Sequence, residues 1–509
     1  MRRDNPVNKN DRIREGEMRR RTFCKSGLAA LTTMSMPYGR LLAAPESDVP
    51  ATGLEGRQLT LKAADVDDFR KSLRGQLLRA GEPGYDGART IWNRAFDRKP
   101  ALIARCTGAA DVTAAVNFAR TQGLLTAVRA GGHSLSGQSV CDGGLVIDLA
   151  QMGGIRVDPL ARRARIEPGV RLAQIDREAQ AFGLAAPLGT VSDTGAAGLT
   201  LGGGFGRLCR KYGLACDNLT GADLVTPDGR FVRVSEKENA DLLWALRGGG
   251  GNFGVVTSLE YRLHAVGPMM FGGPLVYPFS QARELLRGFA DFIATAPDEV
   301  FVFVFLAPAP DHQRVVMFDC CYCGPVDAGE RVLAPLRKIA KPLKDGLGPT
   351  SYVALQSGLD EGNPPGRYYI KGGYLQRITP EFSDTIVDYL EHSPADNTVI
   401  GISQFGGAIS RVKPTATAYW HREPNHEVIV VGFWDDATGA EQTTQWVRGA
   451  WKTLEPLTNG YYFNHGGYDE SERRIRANYG DNYPRLAALK KRYDPTNLFR
   501  LNANVKPAA

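Results

Sequence analysis

Little in this chain of 509 residues suits a metal ion. Its eight cysteines hold one CxxC spacing, Cys320 to Cys323, and no second such pair to complete a metal set. Cys320, Cys321 and Cys323 cluster in VVMFDCCYC, a strand-like run whose side chains alternate between faces and so cannot by themselves converge on zinc. They read as packed residues, with a disulfide as the other reading. No apolar run approaches the length needed to cross a bilayer. Internal repeats and low-complexity segments are absent, which excludes solenoids. Excess positive charge is missing too, once the chain is divided. Residues 1–44 hold ten Lys or Arg against four Asp or Glu and so carry +6 of the formal +7, leaving +1 for the remainder. That balance gives no footprint for nucleic acid or an anionic membrane surface.

What the first 44 residues do contain is ordered. Arg19 to Lys25 read RRRTFCK, a weakly apolar run follows from Leu28 to Met36, and Leu42, Ala43 and Ala44 form a small-residue exit. Basic, apolar and small regions in that order imply a twin-arginine export signal and a periplasmic or secreted product, with Met18 as a second candidate start. That route carries folded proteins, which suits a chain that acquires a cofactor before leaving.

The remainder exceeds one compact core. A linker is expected over 44–56, then a helix from Val66 to Leu78. Asp111 is expected to cap a helix that Gly123 closes. An apolar strand, Leu124 to Val128, then runs into Val128 to Ser134, VRAGGHS. A histidine behind two glycines at a strand exit marks a place where backbone runs close to a bulky ligand. Gly189 to Gly206 is too rich in glycine for a regular element and too apolar for a solvated loop; glycine turns of that kind aim N–H groups at phosphate. Gly221 to Ser235 reads as a hairpin. Gly249, Gly251 and Gly254 satisfy GxGxxG, but they follow a helix and precede a strand, the reverse of the dinucleotide fingerprint. Beyond Pro268 come longer strands and amphipathic helices. Among them FVFVF (Phe301 to Phe305) is apolar on both faces and reads as a central strand with its phenylalanines in the core.

VRAGGHS, LGGGFG (Leu201 to Gly206) and YDPTNLFRLNAN near the C-terminus, in that order, resemble the berberine-bridge-enzyme branch of the vanillyl-alcohol-oxidase flavoproteins. The resemblance covers nearly everything after residue 57. It implies an α+β fold, with a PCMH-type FAD-binding lobe and an antiparallel-sheet substrate lobe covered by helices. The segments are then a signal over 1–44, a linker and the start of the FAD lobe over 45–96, the FAD-binding domain over 97–266, the substrate-binding domain over 267–468, and a segment returning to the FAD lobe over 469–509. The function it implies is hydride transfer from an alcohol, carbohydrate or amine to FAD bonded covalently through His133, with a small-molecule substrate and an electron acceptor such as dioxygen.

Carried over by position, Arg129, Ala130, Gly131, Gly132, His133, Ser134, Gly137 and Gln138 would form the first cofactor loop. Thr190, Ser192, Gly195, Gly198, Gly202 and Gly203 would line the ring and phosphates, with Thr194 near the ring edge. Val256 would meet the adenine side, and Asn502 and Asn504 would reach the flavin from the tail. The cysteine that makes a second flavin bond in many relatives is Val191 here, so a single histidyl bond is expected. The family's glutamate after a GG pair is also missing, since Gly406 and Gly407 are followed by AISRV. Some relatives place an active-site tyrosine and histidine in the corresponding YxNH, so the resemblance implies that proton handling falls to Tyr462 and His465 in YYFNH, with His465 or Arg411 lowering the tyrosine pKa; the other reading of Tyr462 is a core aromatic with its hydroxyl satisfied. Residues three apart share a pocket only if the chain bends, and Gly466 and Gly467 allow that. The alternatives are a nicotinamide-dependent dehydrogenase and a flavin-binding protein without turnover.

Overall fold

The computed structural model describes residues 47–309, 312–393, 397–423, 426–435 and 439–509; the expected export signal lies outside them. Val49–Thr52 pairs antiparallel with Gln58–Leu61, so part of the expected linker is strand. The cause is burial of Val49, Ala51 and Leu61 against one core.

Helix α1 (Ala63–Ser72) ends six residues before the expected Leu78, because Leu73 turns to extended backbone. Asp111 explains the turn. Its carboxylate accepts the N–H groups of Arg74, Gly75 and Thr107 at 2.8, 3.1 and 2.9 Å. It therefore anchors a neighbouring turn from inside α2 (Ala109–Gln122), whose N-cap is Gly108. After the turn the chain enters β1 (Gln76–Leu78), which joins β2 (Leu102–Arg105), β3 (Thr126–Arg129) and β4 (Leu145–Asp148) in a sheet of order β1-β2-β4-β3. β4 runs parallel to both β2 and β3, with α2 as the crossover between those two.

A second sheet takes β5 (Ile155–Asp158), β6 (Arg163–Ile166), β7 (Leu219–Val225), β8 (Phe231–Ser235) and β9 (Val255–Arg262), in the order β8-β7-β9-β6-β5. The expected hairpin is β7–β8. Between β6 and β7 lie α3 (Leu172–Gln180) and, inside the glycine-rich stretch expected to be irregular, a short helix α4 (Ala196–Leu201). It forms because Ala196, Ala197, Thr200 and Leu201 are buried.

The second lobe is an antiparallel sheet of eight strands. Its main strands are β10 (Met269–Pro278), β11 (Val300–Pro308), β12 (Arg314–Tyr322), β13 (Arg367–Leu375), β14 (Thr398–Gln404) and β15 (His426–Trp434), in the order β10-β12-β11-β14-β15-β13. Helices Ala282–Ile293, Val326–Ile339, Pro380–Glu391 and Ala440–Leu454 cover one face. FVFVF is central, as read, and its alternation divides two environments. Val300, Val302 and Val304 pack in the core under the helices, while Phe301 and Phe303 join a separate core with Phe205 and Tyr462. The seven described cysteines are free, and Cys320 and Cys321 are fully buried.

Buried arginines bolt the lobes together. Arg207 pairs with Asp319 at 2.6 Å, and Arg422 grips Asp217 through two bonds of 2.7 and 2.8 Å. The tail then returns to the first lobe through a helix, Tyr483–Tyr493. From it the fully buried Lys490 donates to the carbonyls of Asn252 and Phe499 and to Asp494, at 2.7, 2.8 and 2.7 Å.

Candidate active site

Between the glycine loops and the second-lobe sheet lies a cavity of about 350 Å³. Its floor is where two turns approach backbone to backbone: a Cβ on Gly131 would stand 2.4 Å from the Gly195 Cα, which only glycine permits. The Thr190 carbonyl in the same wall is fixed by Arg207 at 3.0 Å.

His133 stands at one end of the cavity. Its ring lies 5.6 Å from that of Trp92, at an interplanar angle of 23°, and Trp92 stacks at 4.4 Å on Tyr368 of the second lobe. The fully buried Asn93 ties the same loop across, donating to the carbonyls of Leu135 and Tyr368 at 2.7 and 3.0 Å. Nε2 of His133 lies 3.2 Å from Asp193 Oδ2 and 3.3 Å from an Arg171 guanidinium nitrogen. That nitrogen has two hydrogens, and the Asp193 carbonyl and Oδ1, each at 2.6 Å, take both. His133 therefore donates Nε2–H to Asp193 and keeps an unprotonated Nδ1. Burial holds its pKa below the usual range, which favours this neutral form.

Tyr462 and His465 meet at the other end. The chain bends into a 3-10 turn over Phe463–His465, before the glycines expected to allow it, and brings the two rings to 5.0 Å. The fully buried Tyr462 hydroxyl accepts N–H from Gly204 at 2.9 Å and from Asn464 at 2.7 Å. Burial pushes its pKa up, so it is a neutral phenol and not the lowered-pKa base expected. Arg411 is exposed and paired with Asp298 at 2.6 Å, and supplies no charge there. His465 has a different partner: its Nδ1 lies 2.6 Å from Oε1 of Glu427, which has no exposure. A carboxylate only accepts, so Nδ1 carries a hydrogen, and in the neutral ring Nε2 is the nitrogen with the lone pair. The carboxylate that AISRV lacks thus enters from β15. Its sequence signal was a single acidic residue at the head of an apolar strand, HEVIVVGFW.

The family described as "FAD binding domain" matches residues 100–235, and "Berberine and berberine like" matches 461–506. A FAD-linked oxidoreductase of Dictyostelium discoideum is 31% identical over 448 residues, covering 87% of this chain and 97% of that protein. The crystal structure of 6-hydroxy-D-nicotine oxidase from Arthrobacter nicotinovorans superposes with a TM-score of 0.79 at 31% identity, over 86% of this chain and 99% of that one. The glucooligosaccharide oxidase of Acremonium strictum, whose structure is described as revealing a novel flavinylation, gives a TM-score of 0.79 at 25% identity, over 87% of this chain and 99% of that one.

The chain belongs to the berberine bridge enzyme-like family of FAD-linked oxidoreductases. As a member of it, the protein is an FAD-dependent oxidoreductase with a fold of the α+β class.

The berberine-like site offers fitting contacts for that cofactor. Ser139 Oγ and Asn502 Oδ1 are buried in the cavity wall without a hydrogen-bond partner, ready for a polar ligand. Ala130, Gly131, Gly132, His133, Ser134, Gln138, Thr190, Thr194, Gly195, Gly198, Val256 and Asn502 line the cavity with Tyr462 and His465.

Six other expected cofactor residues stand behind the wall. Arg129 pairs with the buried Asp148 at 2.9 Å and shapes the loop from beneath. Gly137 makes room for Phe96. Ser192 donates its N–H and hydroxyl to Asp360 of the second lobe. Gly202 faces Asn464, and Gly203 faces Tyr419 and Tyr462, so both serve the seam. Asn504 lies outside the lining, with its Oδ1 buried and unpartnered. Phe303, buried in the core with Phe205 and Tyr462, also lines the cavity, and so does the partly buried Phe305.

Proposed function

We propose that this enzyme holds FAD through one covalent bond, from His133, and oxidises a small alcohol, carbohydrate or amine with His465 as the proton acceptor. The observation that carries the catalytic part is the 2.6 Å pair of His465 and Glu427 at the cavity wall. Bound FAD supplies the hydride acceptor. His465 takes the proton from substrate oxygen or nitrogen at Nε2, while Glu427 holds the ring and balances the imidazolium that forms. Tyr462, with both lone pairs filled, has only its own hydrogen to give and orients substrate as a donor. The single bond is supported by the neutral His133 with its unprotonated Nδ1, by valine at position 191, and by the flavinylated relative described above. Dioxygen is the acceptor we propose for the reducing equivalents.

Mass spectrometry of the tryptic peptide holding His133 tests the bond: the peptide carries the FAD mass, and its absence, or its presence on a cysteine, refutes the assignment. We further propose export of the folded enzyme, from RRRTFCK. Replacing Arg20 and Arg21 with lysine then leaves active yellow protein in the cytoplasm, and unchanged export would refute that route.

A further inference from the structure

Behind the cavity wall lies a second group of polar and charged side chains, which the chemistry above does not use. Gly206 opens the way for it. A Cβ there would stand 2.0 Å from the Leu188 carbonyl oxygen, so glycine lets the turn lie on the 188–189 backbone and bring Arg207 beneath Thr190. The Arg207 Nη1 donates to the Thr190 carbonyl at 3.0 Å and to Gln356 Oε1 at 3.4 Å, while Nη2 holds Asp319 of β12 at 2.6 Å. Gln356 comes from the second-lobe helix Tyr352–Gln356. Its Nε2 donates to the Gly189 carbonyl at 3.0 Å and to Oδ2 of Asp176, on α3, at 3.3 Å. The Tyr352 hydroxyl completes the group on Asp176 Oδ1 at 3.2 Å, and all five side chains are buried.

Burying an arginine near two carboxyl groups gains little stability, because desolvation cancels most of what the pairing returns. What the group does achieve is a hold on two successive carbonyls of the wall from behind. The peptides there are trans, so each N–H points opposite to the carbonyl of its own peptide unit. With the Gly189 carbonyl on Gln356 and the Thr190 carbonyl on Arg207, the N–H groups of Thr190 and Val191 turn the other way. That way is the cavity, which Gly189, Thr190 and Val191 all line. Among the described residues neither N–H has a hydrogen-bond partner.

We propose that Arg207 and Gln356 are positioning residues for the cofactor, which from behind the wall present the Thr190 and Val191 N–H groups to the flavin ring and so favour its reduced form. Val191 packs against the cluster of Phe205, Phe303 and Tyr462, at the end of the cavity where His465 stands, and hydride transfer requires the ring beside the proton acceptor. In that one respect the proposal rests on the catalytic reading above. Reduction adds two electrons to the ring, and N–H donors already aimed at the added charge stabilise it without rearranging.

The test is the midpoint potential of the flavin in the purified holoenzyme, read by dithionite titration against a reference dye with no substrate present, so that the identity of the proton acceptor does not enter. Gln356→Met releases the Gly189 carbonyl. Arg207→Lys keeps a charge for Asp319 but gives up the fork that also reaches Thr190. In each, the ratio of reduced to oxidised flavin at a fixed dye potential should fall about tenfold, which is about 30 mV for a two-electron couple and the scale of one hydrogen bond. Arg210→Lys is the control. Arg210 is also buried and joins the lobes through the carbonyls of Phe405, Ala296 and Pro297 at 2.8, 3.1 and 3.3 Å, none of them in the cavity wall. It should lower the melting temperature and leave the ratio unchanged. A wild-type ratio in Gln356→Met, or an equal fall in Arg210→Lys, overturns the proposal; if Gln356→Met does not fold, a wild-type ratio in Arg207→Lys overturns it. Slow flavin reduction by substrate in His465→Asn with an unaltered potential keeps the two roles apart.

Discussion

Gly131 and Gly195 leave each other no room: a Cβ on Gly131 would lie 2.4 Å from the Gly195 Cα, and one on Gly195 would lie 2.6 Å from the Gly131 Cα. Neither has a positive φ, so space and not backbone strain demands glycine at both. Gly131→Ala and Gly195→Ala should each cost about 1–3 kcal/mol through overpacking and reduce flavin content by pushing the loops apart. The exposed Gly153 has nothing near its missing Cβ, and Gly153→Ala should stay within about 0.5 kcal/mol of wild type. Thermal unfolding and the flavin-to-protein absorbance ratio check both; equal effects from Gly131→Ala and Gly153→Ala would refute the contact.

Asp193 sets the tautomer of His133 by accepting Nε2–H at 3.2 Å. With Asp193→Asn the acceptor loses its charge, and the fraction of flavin that survives acid precipitation should fall several-fold after a fixed incubation with FAD. His133→Ala should retain FAD that acid releases completely, because the glycine turns remain. Wild-type levels of acid-stable flavin in Asp193→Asn would show that the carboxylate plays no part.

The proton acceptor can be separated from its neighbour. His465→Asn should slow anaerobic flavin reduction by roughly 10²- to 10⁴-fold, the usual loss for a general base. Tyr462→Phe keeps the ring and loses only a hydroxyl, and should stay within about tenfold, on the scale of one hydrogen bond. Glu427→Gln should fall between them and displace the pH–rate profile, a change that loss of packing alone would not produce. If Tyr462→Phe proves the slowest of the three, the assignment is reversed.

Acid should destabilise the fold from pH 6.5 downward. Burial pushes His264, His421 and His426 from 6.5 down to about 4, so the unfolded chain takes up protons there that the native state refuses. Stability from these groups is full above pH 6.5 and is lost as pH falls toward 4. Asp176 opposes them: burial raises it from 3.8 to about 7, so the native state holds a proton that the unfolded chain has lost, and acid favours folding. Burial lowers His133 and raises Asp319 in the same senses, so four histidines outweigh two aspartates, and the melting temperature should fall from pH 7 to pH 4. Asp176→Asn should steepen the fall, and a flat profile in wild type would contradict the balance.

Glycine spacing announced the two cavity loops because close backbone approach needs glycine wherever it occurs. Alternation announced β11, since two apolar faces need two covers, but alternation could not say that one cover is a cavity. The partner of Arg129 was not legible for a related reason: the motif is local, whereas Asp148 lies on a neighbouring strand. Glu427 and His465 come together only because β15 runs beneath the 3-10 turn, a relation that no spacing along the chain encodes. The early end of α1 is of the same kind, fixed by Asp111 from another helix.

Phe499, Leu501 and Asn502 line the cavity, and Lys490 fastens the segment that carries them. The binding chamber is therefore closed by a segment far along the chain from the glycine loops that floor it. Nicking of the backbone between Lys490 and Phe499 would open the chamber while leaving nearly all of the secondary structure in place.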